Sequence, residues 1–383
     1  MYSNRIIYAR RERDPIVEVY FSELLERIDD TGAFMAKLSG PARVTITSQP
    51  PGAELIVWPL RLRDRRLVEG DPIPLGTSPA AGVELPAGRY LLCAQRPGAP
   101  SVVKAVRLEP ASVATFHLDV PAADEHREGF VYVPGGSATL GGDRNAFPPR
   151  PEQPLFVPGF FCARLPVTFG EYLEWLDVLQ QQDPREALAR APQLRASDGM
   201  LATFDQERGR WCPVDLLIEG PARQQYPAGQ GHEARLPIVG ISAHDAMAYI
   251  AWRARRDGVA YRLPYAFELE KAARSEDGRF FPWGDHFDAT FCKMLSSRAE
   301  PSQPEPVGSF RADRSPYGVQ DLAGGVMEWC MREAEHIDFP IKGGAWHRDQ
   351  RLCRAASEVR EFGEVRTGGL GFRLVYDTRR MWM

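Results

Sequence analysis

The sequence predicts an α+β protein in two parts: a small all-β sandwich, then a larger, turn-rich domain that contains helices. Three observations carry this reading. Between about 42 and 120, apolar and polar residues alternate in short runs, the period of half-buried strands. Beyond 130, two well-capped amphipathic helices are signalled in a region too long for a second sandwich of that size. The chain also holds 34 glycines and 33 prolines among 383 residues, a load that suits many short elements joined by turns.

The elements follow in order. Residues 1–41 form an N-terminal amphipathic helical segment. In it Val17, Tyr20, Phe21, Leu24, Leu25 and Ile28 recur at helical spacing, Asp14 can cap the first turn and Pro15 suits the first helical position. Such a helix packs on a neighbouring domain or a partner. In the sandwich, Val44 and Ile46 alternate in one strand, Pro50-Pro51-Gly52 turns the chain, and Leu55 and Val57 begin the next strand. Pro86-Ala87-Gly88 turns it again before Arg89–Cys93, and further strands fall near 102–108 and 113–119. The polar stretch 121–129 reads as a linker, and 130–378 is the larger domain. There Thr168 and Glu171 make a capping box for a helix that buries Phe169, Tyr172, Leu173 and Leu176. Ser242 opens a second helix that runs through Arg256 and is closed by Gly258, with Met247, Ile250 and Ala251 facing inward. His244, in its first turn, is expected to be a solvated surface histidine.

Composition excludes several classes. The 47 Lys+Arg stand against 51 Asp+Glu, a net charge of −4, so nothing draws the chain as a whole to nucleic acid or anionic lipid. Arginine greatly outnumbers lysine, but the arginines are scattered rather than clustered, as a GC-rich genome would leave them. No run approaches the roughly 18 apolar residues of a membrane span, and the first residues lack the apolar core of a signal peptide. The expectation is a cytoplasmic protein with no membrane span and no nucleic-acid partner. The six cysteines (93, 162, 212, 292, 330, 353) show no CxxC spacing, and in a reducing compartment they remain free thiols.

Two resemblances sharpen the picture. Ser48-Gln49-Pro50-Pro51-Gly52-Ala53-Glu54 and Leu85-Pro86-Ala87-Gly88-Arg89-Tyr90 resemble the PEGA domain, a β-module found beside bacterial signalling domains; here it reads as a spacer or interaction module. The longer resemblance is carried by ordered strings across about 130–378. They include Phe130–Gly136, Pro166–Tyr172, Pro237–Ser242, Tyr261–Pro264, Glu268–Arg274, Phe281–Gly284, Tyr317–Gly324, Glu328-Trp329, Gly343–Trp346 and Gly371–Leu374. Together these resemble the formylglycine-generating enzyme, or sulfatase-modifying factor, family. The resemblance implies a C-type-lectin-like fold with little regular secondary structure.

Fold does not fix function. In the family's enzymes a Cys-x-x-x-x-Cys pair just after the Gly-Gly-(Ser/Ala)-aromatic turn binds copper through two soft thiolates. The equivalent stretch here, Trp346–Ala356, holds Cys353 alone, with Arg348 and Glu358 at the spacings where a partner thiol would stand. Cys353 therefore reads as a small buried hydrophobe, although Cys330 could approach it in space. No copper and no catalytic residue are expected, and formylglycine formation is not the expected activity. The sister branch's iron-binding His-x-x-x-His-x-Glu helix is absent as well. His347-Arg348-Asp349 spells a kinase tripeptide, but Arg354 stands where a kinase needs Asn.

The resemblance also implies a structural calcium, held by the Asp321 side chain, the carbonyls of Gly324 and Val326, and the Glu328 side chain. All are hard oxygen donors. The family's other calcium site has no clear counterpart, since Lys293 stands near an expected ligand. Finally, constant-looking scaffold strings near the C-terminus alternate with heterogeneous residues: His347, Arg348, Asp349, Arg351, Leu352, Ser357, Val359, Arg360, Phe362, Val365, Arg366 and Thr367. This layout resembles the variable proteins of diversity-generating retroelements, many of which use this fold. Gln350, Glu358, Glu361 and Glu364 are left out because mutated Asn-type codons cannot yield them. The expected function is non-catalytic binding of a protein or other macromolecule through this surface. The alternatives are an undiversified signalling module and, less favoured, a copper-dependent oxidoreductase.

Overall fold

Strand Ala42–Gln49 buries Ala42, Val44, Ile46 and Ser48 and turns the residues between them outward, so a period of two places one face in a core. It is the middle strand of a three-stranded sheet, antiparallel to Ala80–Leu85 and parallel to Val113–Asp119. The second sheet runs Arg66–Glu69, Glu54–Arg63, Gly88–Gln95, Val102–Leu108, with Ile73–Thr77 also paired to Glu54–Arg63. Val44 and Ile46 from one sheet meet Leu55, Val57, Leu92 and Val106 from the other in a shared core. This sandwich matches the expectation, and strands 102–108 and 113–119 fall where the alternation placed them. The computed structural model describes residues 39–194, 199–214, 233–298 and 302–378, together with Ile6, Tyr20, Phe21 and Leu24. The helix expected over 14–30 lies outside the described residues, apart from the helical Tyr20, Phe21 and Leu24.

Gly88–Gln95 departs from alternation: Tyr90 through Ala94 are all buried. Its outer face is covered by the larger domain, and a strand covered on both faces reads as a continuous apolar run. The junction is made by backbone and charge. The Ala105 amide donates to Ser275 Oγ at 3.0 Å, the Glu276 amide to the Ala105 carbonyl at 3.1 Å, and the Leu67 amide to the Trp283 carbonyl at 2.8 Å. Arg89 pairs with Asp285 at 2.7 Å, and Lys104 pairs with Glu276 at 3.1 Å. The stretch expected to be a linker is held as well, since Tyr376 Oη donates to the carbonyl of Glu125 at 2.9 Å.

Four helices stand among the described residues of the larger domain: α1 (Phe169–Gln182), α2 (Pro184–Arg190), α3 (Ala243–Asp257) and α4 (Ala266–Arg274). The capping boxes of α1 (Thr168 and Glu171) and α3 (Ser242 and Asp245) are both formed, and Gly258 closes α3 in the left-handed conformation at φ +66°. Phe169, Tyr172, Leu173 and Leu176 of α1 are buried. Ala251, expected to face inward, is instead exposed on α3; the inward face is carried by Ala246, Tyr249 and Ile250. His244 is exposed, as expected, with its ring edge-on to Phe339. The domain closes on itself through Phe160–Ala163, which pairs with both Phe130–Val133 and Val375–Asp377. A second sheet orders Glu358–Glu361, Phe339–Lys342, Met327–Trp329 and Leu370–Gly371.

Irregular backbone buried in a core leaves carbonyls and amides that no ladder satisfies. Charged side chains satisfy them here. Arg373, fully buried, pairs with both oxygens of Glu328 at 2.6 Å and donates to the carbonyls of Ala163, Gln320 and Asp321. Glu270 takes Arg274, Lys342, Arg150 and the Gly141 amide. Buried Asp313 accepts the amides of Leu322, Ala323 and Gly324. No helix among the described residues is long and apolar enough to cross a membrane.

Candidate functional site

The C-terminal loops begin at Gly343, whose φ of +84° turns the chain out of strand Phe339–Lys342. Trp346 then anchors the loop, its indole N–H donating to the Gly368 carbonyl at 2.7 Å. His347 rests against Gly369, where an added Cβ would fall 2.1 Å from its ring. Burial, with Arg348 beside it, lowers the His347 pKa from the usual histidine range. Arg348 and Asp349 project into solvent while the Arg348 carbonyl accepts the Leu295 amide at 3.0 Å. Asp349 and exposed Arg351 pair at 2.8 Å, and Arg351 lies over the Phe147 ring. The backbone of this turn is fixed while three of its charged side chains face outward.

The remaining positions divide. Phe362 is 52% exposed, and Thr367 is exposed while its carbonyl holds the Gly240 amide at 2.9 Å. Ser357 does not lie on the surface. It is 1% exposed, and its hydroxyl donates to the Arg351 carbonyl and accepts the Phe147 amide. Leu352, Val359 and Val365 are half-buried against the core. Arg360 is half-buried in an ion pair with Asp338 at 2.8 Å. Arg366 reaches across to the α3 cap, pairing with Asp245 at 2.7 Å and donating to the carbonyls of Ala189 and Ala191. Of the twelve expected surface positions, Arg348, Asp349, Arg351, Phe362 and Thr367 face solvent; the other six side chains that are half-buried, and buried Ser357, help to build the frame.

Cys353 is buried, but it is not solitary. Cys292 stands beside it in a cluster with Phe281, Trp283, Met294 and Ala323, and contact with Cys353 together with burial pushes the Cys292 thiol well above its usual range. Cys330 belongs to a different cluster, its thiol directed at the Glu328 carbonyl. The sequence offered no signal for Cys292: it lies far upstream and outside any Cys spacing pattern. Arg354 covers the cluster, stacked 4.8 Å over both Phe280 and Phe281. Among the described residues no three His, Cys, Asp or Glu side chains are grouped to hold a metal.

The residues expected to hold calcium fit in part. Asp321, Gly324 and Val326 line one small cavity of about 10 Å³ together with Gly325, Lys293 and Glu305. Burial, against the Gly308 amide and Arg373, pushes the Asp321 carboxyl up to about 6. Glu328 is already engaged by Arg373 at both oxygens, and the Lys293 ammonium pairs with Glu305 at 3.3 Å. Glu328 is not among the residues that line this cavity, so of the expected set only Asp321, Gly324 and Val326 border it.

Comparison with known proteins decides the family. The sulfatase-modifying factor enzyme 1-like domain matches residues 115–378. The chain belongs to this family. Hercynine oxygenase of Mycolicibacterium smegmatis is 29% identical over 247 residues, covering 59% of this chain and 53% of that protein. The mouse inactive C-alpha-formylglycine-generating enzyme 2 is 28% identical over 279 residues, covering 63% of this chain and 84% of that protein. The chain spans about half the length of hercynine oxygenase. Among solved structures, Treponema denticola variable protein 1 aligns at a TM-score of 0.46 and 16% identity, over 64% of this chain and 94% of that one. Relatives named as an enzyme and as inactive both occur, so membership in the sulfatase-modifying factor family does not by itself assign an activity.

Proposed function

We propose that this chain is a non-catalytic member of the sulfatase-modifying factor family that binds a protein or other macromolecule through its C-terminal loops. One observation carries the reading. The loop after Trp346 turns Arg348, Asp349 and Arg351 to solvent, while the thiols beneath it, Cys353 and Cys292, are closed under aromatic rings. Catalysis at sulfur needs an accessible thiolate; Cys353 is buried, and burial with Cys353 against it opposes that state at Cys292. Arg and aromatic side chains supply much of the energy of protein recognition, which suits Arg348, Arg351 and Phe362. The test is a peptide and glycan array probed with the wild type and with an Arg348→Ala/Arg351→Ala/Phe362→Ala variant. Signals that disappear in the variant support the reading; signals that survive it place the binding elsewhere.

Diversification of the surface belongs to the same proposal, restricted to the five exposed positions. An undiversified binding module is favoured by a specific observation: Ser357 and Arg366 hold the frame, a role that free variation would disrupt. A near-identical copy of the codons for 330–375 beside a reverse transcriptase gene supports diversification, and its absence supports the plain module. A cytoplasmic location goes with the six free cysteines and is part of this reading. A structural calcium at Asp321, Gly324, Val326 and Glu328 is a separate proposal. A rise in Tm with Ca²⁺ that Asp321→Asn removes supports it, and no rise overturns it. No copper is expected, and a Cu(I) titration tests this at the Cys292–Cys353 pair.

A further inference from the structure

A cleft of about 320 Å³ lies between the sandwich and the larger domain, away from the C-terminal loops. Arg66 reaches it from the sandwich, and Arg279, Arg311 and Arg314 reach it from the larger domain, with Glu69 the one acid on the wall. Arg279 is neutralised by Asp277 at 2.7 Å. Among the described residues Arg66, Arg311 and Arg314 make no ion pair, and Arg66 Nε is buried without a hydrogen-bond partner. Ser315 also lines the cleft; the residue is only 4% exposed, and its hydroxyl has no partner.

Arg66, which lies over the Phe291 ring, and solvent-exposed Arg311 and Arg314 bring three guanidiniums without a carboxylate partner to one space, and an idle buried hydroxyl costs desolvation free energy that nothing returns. An anion with several acceptor oxygens answers both. Forked guanidiniums suit phosphate, whose charge approaches −2 and whose three oxygens can be shared among several donors. The other walls are apolar: Leu60 and Leu91 from the sandwich, Pro282 and Trp283 from the larger domain. The volume lies at the small end of the range for ligand sites.

We propose that this cleft binds a small phosphorylated ligand with a flat apolar part, of the nucleoside phosphate class. The phosphate lies among Arg66, Arg311, Arg314 and the Ser315 hydroxyl, and the apolar part lies against Leu60, Leu91 and Pro282. Both domains contribute, so the ligand ties the sandwich to the larger domain. The site is independent of the binding proposed for the C-terminal loops.

The experiment is calorimetric titration of the full chain with AMP, ADP and pyrophosphate at moderate salt. The variants are Arg311→Gln/Arg314→Gln, Ser315→Ala and, as a control, Arg208→Gln on the distant 202–213 hairpin. Arg311 and Arg314 are exposed and unpaired, so their variant keeps the fold, which a thermal melt verifies. Expected are one-to-one binding of AMP or ADP, a loss of about tenfold or more in the double arginine variant, a loss of roughly threefold in Ser315→Ala and no change in the control. No binding of either nucleotide at millimolar concentration overturns the proposal, as does binding indifferent to the double variant. Pyrophosphate binding as tightly as ADP overturns the nucleoside assignment.

Discussion

The sandwich and the larger domain are held together by different physics. Residues 42–119 bury Val44, Ile46, Leu55, Val57 and Leu92 from two facing sheets, and most backbone groups are satisfied by strand ladders. The larger domain has short strands and long buried loops, so Arg373, Glu270 and Asp313 serve as side-chain partners for backbone that has no ladder. A core built on alternation loses contact area when a residue is cut back. A core built on charges loses more, because the deserted partner remains buried and unpaired. The sandwich is thus the more forgiving of the two.

Arg373→Met breaks this comparison most severely. It leaves Glu328 without its counter-charge and takes a donor from the carbonyls of Ala163, Arg164, Gln320 and Asp321, and a loss of about 3–5 kcal/mol is expected by urea denaturation. A loss under about 1 kcal/mol would show that the buried pair is not what holds the irregular domain. Leu92→Ala, at a fully buried sandwich position, is expected to cost about 2–4 kcal/mol. Hydrogen exchange should place that damage in 42–119, since the altered contacts lie in the sandwich core.

Acid should act on the larger domain first. Burial raises the pKa of Glu270, but Lys342, Arg274 and Arg150, with the Gly141 amide, overcome it and hold the carboxyl at about 2. A carboxyl depressed on folding contributes stability above its unfolded pKa, near 4.5, and that contribution is lost as pH falls from about 4.5 to 2. The contribution is about 3 kcal/mol. Glu270→Gln should be less stable at neutral pH and show a flatter decline in that window, read from Tm between pH 2 and 6. Within the C-terminal loops the contrast is smaller. Ser357→Ala is expected to cost about 1–2 kcal/mol through its two hydrogen bonds, whereas Phe362→Ala should stay within about 0.5 kcal/mol. Equal effects at the two positions would erase the division between frame and display.

The same contrast explains what could be read from the sequence. Val44, Ile46, Leu55 and Val57 announced their strands because their partners lie two residues away on the same face. Thr168 with Glu171 and Ser242 with Gly258 announced helix ends because caps are local. The short helices Pro184–Arg190 and Ala266–Arg274 are not among the elements the sequence predicts. The second is buried through Glu268, Glu270, Lys271 and Arg274, with no polar face to mark its period. Ser357 and Arg366 looked like display residues because their partners, Phe147 and Asp245, lie more than a hundred residues upstream. Cys292 and the arginine cleft were hidden for the same reason: chain distance carries no trace of spatial proximity.

The most direct measurement bears on the thiols under the display loop. Purified protein loaded with Cu(I) is incubated in air with a sulfatase-type peptide containing one cysteine, and the peptide is followed by mass spectrometry. The expected result is an unchanged peptide mass and no copper retained at one equivalent after chelator challenge. Stoichiometric copper together with conversion of the peptide cysteine to an aldehyde would contradict it.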